Sequence, residues 1–272
     1  MLLAIDIGNT NISFGLFRGE QLLRTWSLST DLRRTADEYE IQIDNWFQRA
    51  GHTPLEVDAV VIGNVVPPLQ PHFERVVRHL FSTAPWSVSG RIGVTGVRIQ
   101  VDNPAEVGAD RLANAVACHQ RYGGPAIVVD MGTATTFDVI SADGEYLGGA
   151  IAPGVQIAAE ALFVRAAKLP RVDLSPPPTA IGRNTVHAMQ AGTVYGYAGL
   201  VRGLIERIRA ELGGQARVIA TGGLAEVVAR DSGVFDVIDP HLTLEGLRLL
   251  YLLNHPHYEP NHPDRARGGL NA

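Results

Sequence analysis

Apolar residues fall first into short runs separated by polar or glycine text: Leu2 to Ile5, Ile12 to Phe17 and Leu22 to Leu28. Runs of about 4–8 such residues bounded by turn formers read as β-strands. The pattern then changes. From Thr35 to Ala50, Tyr39, Ile41, Ile43, Trp46 and Phe47 are interleaved with charge, which predicts a helix. A strand at Ala59 to Ile62 follows, Val65-Val66-Pro67-Pro68 breaks the chain, and a helix is expected from about Leu69 to Phe81. Another helix is expected from Leu112 to about Arg121. The text then restarts with strands at Ala126 to Val129 and Phe137 to Ile140, helical text after Gly154, and a long helix from Thr185 to Leu212. Arg217 to Ala220 reads as a strand running into Thr221-Gly222-Gly223 and a new helix. Strands alternating with helices predict an α/β fold.

One device occurs twice. Ile5-Asp6-Ile7-Gly8-Asn9-Thr10-Asn11 ends a buried-strand run, and Val129-Asp130-Met131-Gly132-Thr133-Ala134-Thr135-Thr136 ends another. In both, a β-like run follows, and then a charged glycine turn, Arg18-Gly19-Glu20 or Asp143-Gly144-Glu145. This is an internal duplication, so two similar lobes are expected. The breaker cluster Tyr122-Gly123-Gly124-Pro125 is the natural boundary, giving lobes 1–121 and 122–254, with 255–272 expected as a disordered tail. A glycine turn with Asn and Thr can aim backbone N–H and hydroxyl donors at phosphate oxygens, while the Asp supplies a carboxylate for a cation. A single such turn reads more readily as a plain hairpin. Two copies favour a phosphate clamp made twice.

Composition removes several function classes. Hydrophobic residues make up 46% and charged residues 19%, as in a globular protein, and a net charge of -5 gives no basic footprint for nucleic acid. Lys168 is the sole lysine and no Gly-x-x-x-x-Gly-Lys precedes it, so a P-loop is excluded; no Gly-x-Gly-x-x-Gly follows a strand. The lone Cys118 forms no intrachain disulfide, no Cys/His cluster has zinc spacing, and a reducing cytoplasm fits. No apolar stretch approaches the ~20 residues of a membrane span.

Three further segments carry chemistry. Asn103-Pro104-Ala105-Glu106-Val107-Gly108-Ala109-Asp110-Arg111 leads straight into a helix. Asp110 at the helix start is an N-cap or, in an enzyme, an ionised base favoured by the helix dipole, and Arg111 offers a planar fork to an anionic or amide-bearing substrate. Gly222-Gly223, at a strand-to-helix junction, is a turn pair or a place for a backbone to approach a flat ligand such as adenine. Ala191, Gly192, Gly196, Ala198 and Gly199 run along the long helix and suit either an interior core helix or a dimer seam.

Taken with Gly148-Gly149-Ala150-Ile151-Ala152-Pro153-Gly154, these motifs occur over about residues 1 to 254 in the order of the type III pantothenate kinase family, which the chain resembles. The resemblance implies the actin-like ATPase fold, with two ribonuclease H-like lobes. It implies ATP-dependent phosphorylation of pantothenate, the first step of coenzyme A biosynthesis. Asp6, Ile7, Gly8, Asn9, Thr10, Asn11, Ile12 and Ser13 then match the first phosphate loop, with Asp6 near Mg²⁺, while Thr133, Gly222 and Gly223 fall on the ATP side. Asp110 matches the general base. Gly108, Ala109, Asp110 and Arg111 line the pantothenate pocket, and Thr185 matches a pantothenate contact made across a homodimer interface. Asp130 matches the ligand of a monovalent cation, K⁺ or NH₄⁺. Val101 stands where the family usually has Tyr in the pantothenate site, which alters substrate packing rather than the reaction. Another small-molecule kinase of the same superfamily, or a nucleotide-binding regulator without turnover, are the alternatives; Gly108-Ala109-Asp110-Arg111 argues against the first and the three aspartates against the second.

Overall fold

The computed structural model of the chain describes residues 1–88, 95–225, 228 and 233–258. One sheet contains β1 (Leu2–Ile7), β2 (Asn11–Arg18), β3 (Gln21–Ser29), β4 (Ala59–Asn64) and β5 (Trp86–Ser87) in the order β3-β2-β1-β4-β5. The other holds β6 (Arg98–Ile99), β7 (Ala126–Met131), β8 (Ala134–Ile140), β9 (Glu145–Pro153), β10 (Arg217–Thr221) and β11 (Val237–Ile238) in the order β11-β10-β7-β8-β9-β6. Without β6, the second order repeats the first strand for strand. In each sheet the first three strands form an antiparallel meander and the last two lie parallel. Even the bulge recurs, at Leu16/Phe17 in one copy and Val139/Ile140 in the other. The duplication expected from the text is therefore a duplication of topology.

The helices are α1 (Ala36–Arg49), α2 (Gln70–Leu80), α3 (Ala109–Tyr122), α4 (Val155–Arg165), α5 (Thr185–Glu211) and α6 (Leu242–Asn254). Thr35 and Glu38 close a capping box that starts α1. Tyr39, Ile43 and Phe47 of α1 and Phe73, Val76 and Val77 of α2 are buried with Leu3, Ile5 and Ile7 of β1. Ile41 lies on the solvent face of α1 instead, because only one stripe of a helix can reach the sheet. In the second core, Tyr197, Val201 and Ile205 of α5 pack on Ile127, Val129 and Met131 of β7. Among the described residues no helix is long and apolar enough to cross a membrane.

Contacts divide the chain into one unit of residues 1–96, 105–113 and 244–272 and a second of 97–104 and 114–243. The division falls inside α3, between Ala113 and Asn114, rather than at the expected 121/122 boundary. The glycines after Tyr122 end a helix without separating the units. The last helix also returns to the first unit, where Gly246 of α6 crosses so close to the Ala113 carbonyl that a side chain there would collide with it. Arg248 of α6 is buried, pairs with the half-buried Glu245 and lies over the Phe17 ring. Of the expected tail, His255 stacks on Tyr251 at 4.0 Å and Tyr258 donates to Asp58 at 2.7 Å, so the chain is packed as far as Tyr258; residues 259–272 lie outside the described ones. The helix expected after Gly223 likewise falls partly on residues outside them.

Candidate active site

The first glycine turn is built on buried strand ends. Ile7 and Ile12 have no exposed surface, so they pin the turn and can offer a ligand only their backbone. Between them Asn9, Thr10 and Asn11 are exposed, and Gly8 N–H donates to the Asn11 carbonyl at 3.0 Å. A Cβ on Gly8 would sit 2.9 Å from that carbonyl, which explains the glycine. Thr30, just past β3, clasps the turn from outside: its hydroxyl donates to Gly8 O at 2.6 Å and its N–H to Thr10 O at 2.9 Å. Asp6 is half-buried, cross-strand from Ser13 of β2 and Gly63 of β4.

Gly63 connects this turn to the start of α3. Space above its Cα is taken by Leu247, and a Cβ there would reach the Ala109 methyl at 3.6 Å. Hence the first residues of α3 lie over the carboxyl end of β4, beside β1, within the first unit. Leu112 N–H donates to Gly108 O at 3.0 Å, the first bond of the helix, so Gly108 holds the N-cap position and Asp110 the second helical one. The N-cap reading of Asp110 is thereby corrected. Its carboxylate folds back onto the helix end and Oδ1 accepts from Arg111 N–H at 2.8 Å. A Cβ on Gly108 would lie 2.5 Å from the same oxygen, so this glycine leaves the space that the carboxylate occupies.

The second turn lies in the second unit. Gly132 N–H donates to Ala134 O at 3.0 Å, repeating the bond of the first turn, and Gly154 N–H donates to Thr133 O at 3.1 Å. Gly154 is the N-cap of α4 and presses its Cα against the carbonyls of Gly132 and Thr133, so this turn is braced by a helix start. Behind it Tyr197 OH lies 2.6 Å from the Thr135 hydroxyl and 2.9 Å from Pro153 O. The two glycines after β10 differ. Gly222, at φ +89°, abuts Asp130 Oδ1 and the Met131 backbone, so packing demands it; Gly223 is exposed with open space around it. Asp130, cross-strand from Thr136 and Thr221, accepts from the buried Asn114 amide at 2.9 Å.

Val101 is half-buried, its Cγ1 3.4 Å from where Gly148 would carry a Cβ. Thr185 is the first residue of α5 and exposed; Asn184 caps that helix by accepting from His187 N–H at 2.8 Å, and Gly182 packs hard against Ala188. Asp6 to Ser13 and Gly108 to Arg111 thus share the first unit, whereas Val101, Asp130, Thr133, Thr185, Gly222 and Gly223 belong to the second. Among the described residues no group of three or more His, Cys, Asp or Glu could hold a metal ion. The half-buried carboxylate of Asp6 at the first turn fits Mg²⁺ carried largely by nucleotide phosphates with one protein carboxylate, the usual way this ion is bound. Burial pushes the Cys118 thiol up to about 12, which excludes it as a nucleophile.

A sequence profile of the type III pantothenate kinase family matches residues 2–207. The chain belongs to that family. The type III pantothenate kinase of Roseiflexus sp. (strain RS-1) is 53% identical over 93% of this chain and 99% of its own length. Among solved structures, a conserved putative Baf family transcriptional activator from Campylobacter jejuni superposes with a TM-score of 0.57 at 21% identity, covering 94% of this chain and all of its own. Component A of the (R)-2-hydroxyglutaryl-CoA dehydratase of Acidaminococcus fermentans does so at 0.53 and 14%, covering 92% of this chain and 96% of its own. At those identities the likeness shows the fold alone: the actin-like ATPase fold, with which the duplicated topology agrees. Membership of the family makes the chain an enzyme, a kinase with an alcohol group as acceptor.

Asn114, Thr243, Tyr197 and Thr30 belong to no sequence motif, and only the fold brings them to the turns. For Asn114 a signal exists: it is the one polar residue in the otherwise apolar stretch 112–117 of α3, which is buried throughout, and a buried amide needs a partner.

Proposed function

We propose that this enzyme transfers the ATP γ-phosphoryl group to the primary hydroxyl of pantothenate, with Asp110 as the general base. The observation that carries this reading is the placement of the Asp110 carboxylate at the first turn of α3, over the strand end that pairs with Asp6. The helix dipole favours negative charge there, and a carboxylate within reach of a hydroxyl nucleophile can take its proton. Asn9, Thr10, Asn11 and the backbone of the first turn supply donors to phosphate oxygens, as do Thr133 and the backbone of the second; Gly223 leaves room for the nucleotide. Asp6 holds Mg²⁺, which when bound offsets phosphate charge, and Asp130 holds K⁺ or NH₄⁺. Ala109 and Arg111 bound the pantothenate, and the family resemblance assigns Val101 to the same ligand. Phosphoryl transfer asks mainly for positioning and charge stabilisation, which this set provides.

Asp110→Asn keeps size and the helix start. We expect a ~10²–10⁴-fold fall in kcat with ATP binding and the melting temperature retained. Near wild-type kcat in the folded variant would falsify the assignment.

The enzyme further acts as a homodimer in which Thr185 completes the neighbour's pantothenate site. Along α5, a Cβ at Gly192, Gly196, Gly199 or Gly203 would meet nothing within 4 Å, so these small residues form an open stripe. Val186 and Leu200 on α5 and Leu162, Phe163 and Val164 on α4 are exposed as well. Exposed large apolar side chains together with a stripe of small residues suit an interface. Mixing Asp110→Asn with Thr185→Val subunits should restore activity, since one site of each mixed dimer is intact. No gain over the parents, or a fully active monomer by light scattering, sinks the shared site.

A further inference from the structure

The buried amide of Asn114 is fixed by its neighbours in a way that bears on Asp130. An ionised carboxylate only accepts hydrogen bonds, so the Asn114 group 2.9 Å from Asp130 Oδ2 must be the NH₂. Its Oδ1 then points at the Thr243 hydroxyl, 2.8 Å away, which must donate. The direction of both hydrogen bonds in the chain Thr243 to Asn114 to Asp130 is thereby assigned. Asn114 has no exposed surface and stands one turn along α3 from Asp110; Thr243 lies in the first turn of α6. On its other side Asp130 meets the Cα of Gly222, where a Cβ would lie 2.6 Å from Oδ1.

We propose that Asn114 is the positioning residue of the Asp130 carboxylate, held in one orientation by Thr243, and that it sets the affinity for the monovalent cation. The chemical identity of the donor matters. Arginine or lysine at this place would fix the carboxylate while neutralising it; an amide fixes it without adding a positive charge. Serine or threonine could rotate away. A flip of the amide would lose the bond to Asp130 and turn the amide oxygen onto the carboxylate, at a cost set by burial. This inference rests on the reading of Asp130 as cation ligand.

The test is a KCl titration with two readouts: pantothenate-dependent ATP turnover, and thermal stabilisation of the enzyme by KCl without substrates. Asn114→Leu removes the donor at similar volume; Thr243→Val removes only the group that orients it and is close to isosteric. We expect Asn114→Leu to raise the KCl midpoint about tenfold or more in both readouts, with kcat at saturating KCl within a few fold of wild type. Thr243→Val should move it about two- to threefold in the same direction. Because Thr243 acts through Asn114, the double variant should be no worse than Asn114→Leu alone. Additive effects, or an unchanged midpoint in Asn114→Leu while Asp130→Asn has lost its response, overturn the proposal. If Asp130→Asn also keeps the response, it is the cation role of Asp130 that fails, and the proposal fails with it.

Discussion

The two glycine turns descend from one strand–turn–strand pattern yet are secured by different means. In the first, three exposed residues between Gly8 and Ile12 present side-chain donors, and a hydroxyl from Thr30 clasps the turn from outside. In the second, the loop between β7 and β8 is shorter, its flank is backed by the start of α4 through Gly154, and its Asp is gripped by Asn114 and the Cα of Gly222. After the residue facing the Asp, the first copy continues its strand with Asn64, whereas the second turns sharply at Gly222 with φ +89°. A duplicated frame can therefore carry one turn whose chemistry lies in side chains and one whose chemistry lies in backbone and a fixed carboxylate.

The largest effect should come from the second turn's brace. Gly222→Ala places a methyl against Asp130 and the Met131 backbone at a φ that L-residues rarely adopt. We expect roughly 3–5 kcal/mol of lost stability, combining backbone strain with overpacking. In a chain of this size that lowers Tm by roughly 10 °C, and calorimetry measures it. A loss below about 1 kcal/mol would mean that the turn relaxes freely and that the contrast between the copies is overdrawn.

The matched pair Gly8→Ala and Gly132→Ala separates the turns next. At Gly8 the added methyl meets the Asn11 carbonyl at 2.9 Å, while at Gly132 the nearest atom is 3.7 Å away, and neither residue has a positive φ. Gly8→Ala should raise the KM for ATP about tenfold or more by reshaping the donor turn, whereas Gly132→Ala should change it by less than about threefold. Equal effects from the two substitutions would make the turns mechanically alike.

Much of the duplicated frame is legible in the amino-acid sequence itself. The strand runs, the repeated Asp and glycine, and the helix starts at Thr35 and Thr185 follow from period and capping, which are local. β9 gives no such signal, because Gly148-Gly149-Ala150 has little strand propensity and is held by pairing with β8. The motif marks Asp110 but not its helical position, two places past the cap, since only the bond from Leu112 to Gly108 shows where the helix begins. The residues that tie the turns down, Thr30, Asn114, Tyr197 and Thr243, lie far from them in sequence. Nothing local marks Thr30, Tyr197 or Thr243 as partners, and Asn114 shows only as a polar residue within an apolar stretch of α3; topology brings them in.

The smallest predicted effect distinguishes the units by alkaline titration. Burial raises the Cys118 thiol from 9.0 to about 12, and burial with the Asp239 hydrogen bond raises Tyr122 from 10.0 to about 12. Both lie in the second unit, whereas Trp26, Trp46 and Trp86 all lie in the first. A folded-state pKa above the unfolded value gives stability that is complete below the unfolded pKa and is lost as pH rises towards the folded one. For Cys118 that window opens near pH 9, below the tyrosines, so the second unit should weaken first. Urea unfolding of wild type and Cys118→Ala, followed by far-UV circular dichroism, checks the sign: the wild-type midpoint should fall relative to the variant's between about pH 9 and 10. Thiol labelling should quicken over the same range while tryptophan emission holds. A difference between the two midpoints that stays constant with pH would remove Cys118 as the source, and tryptophan emission changing first would reverse the order of the two units.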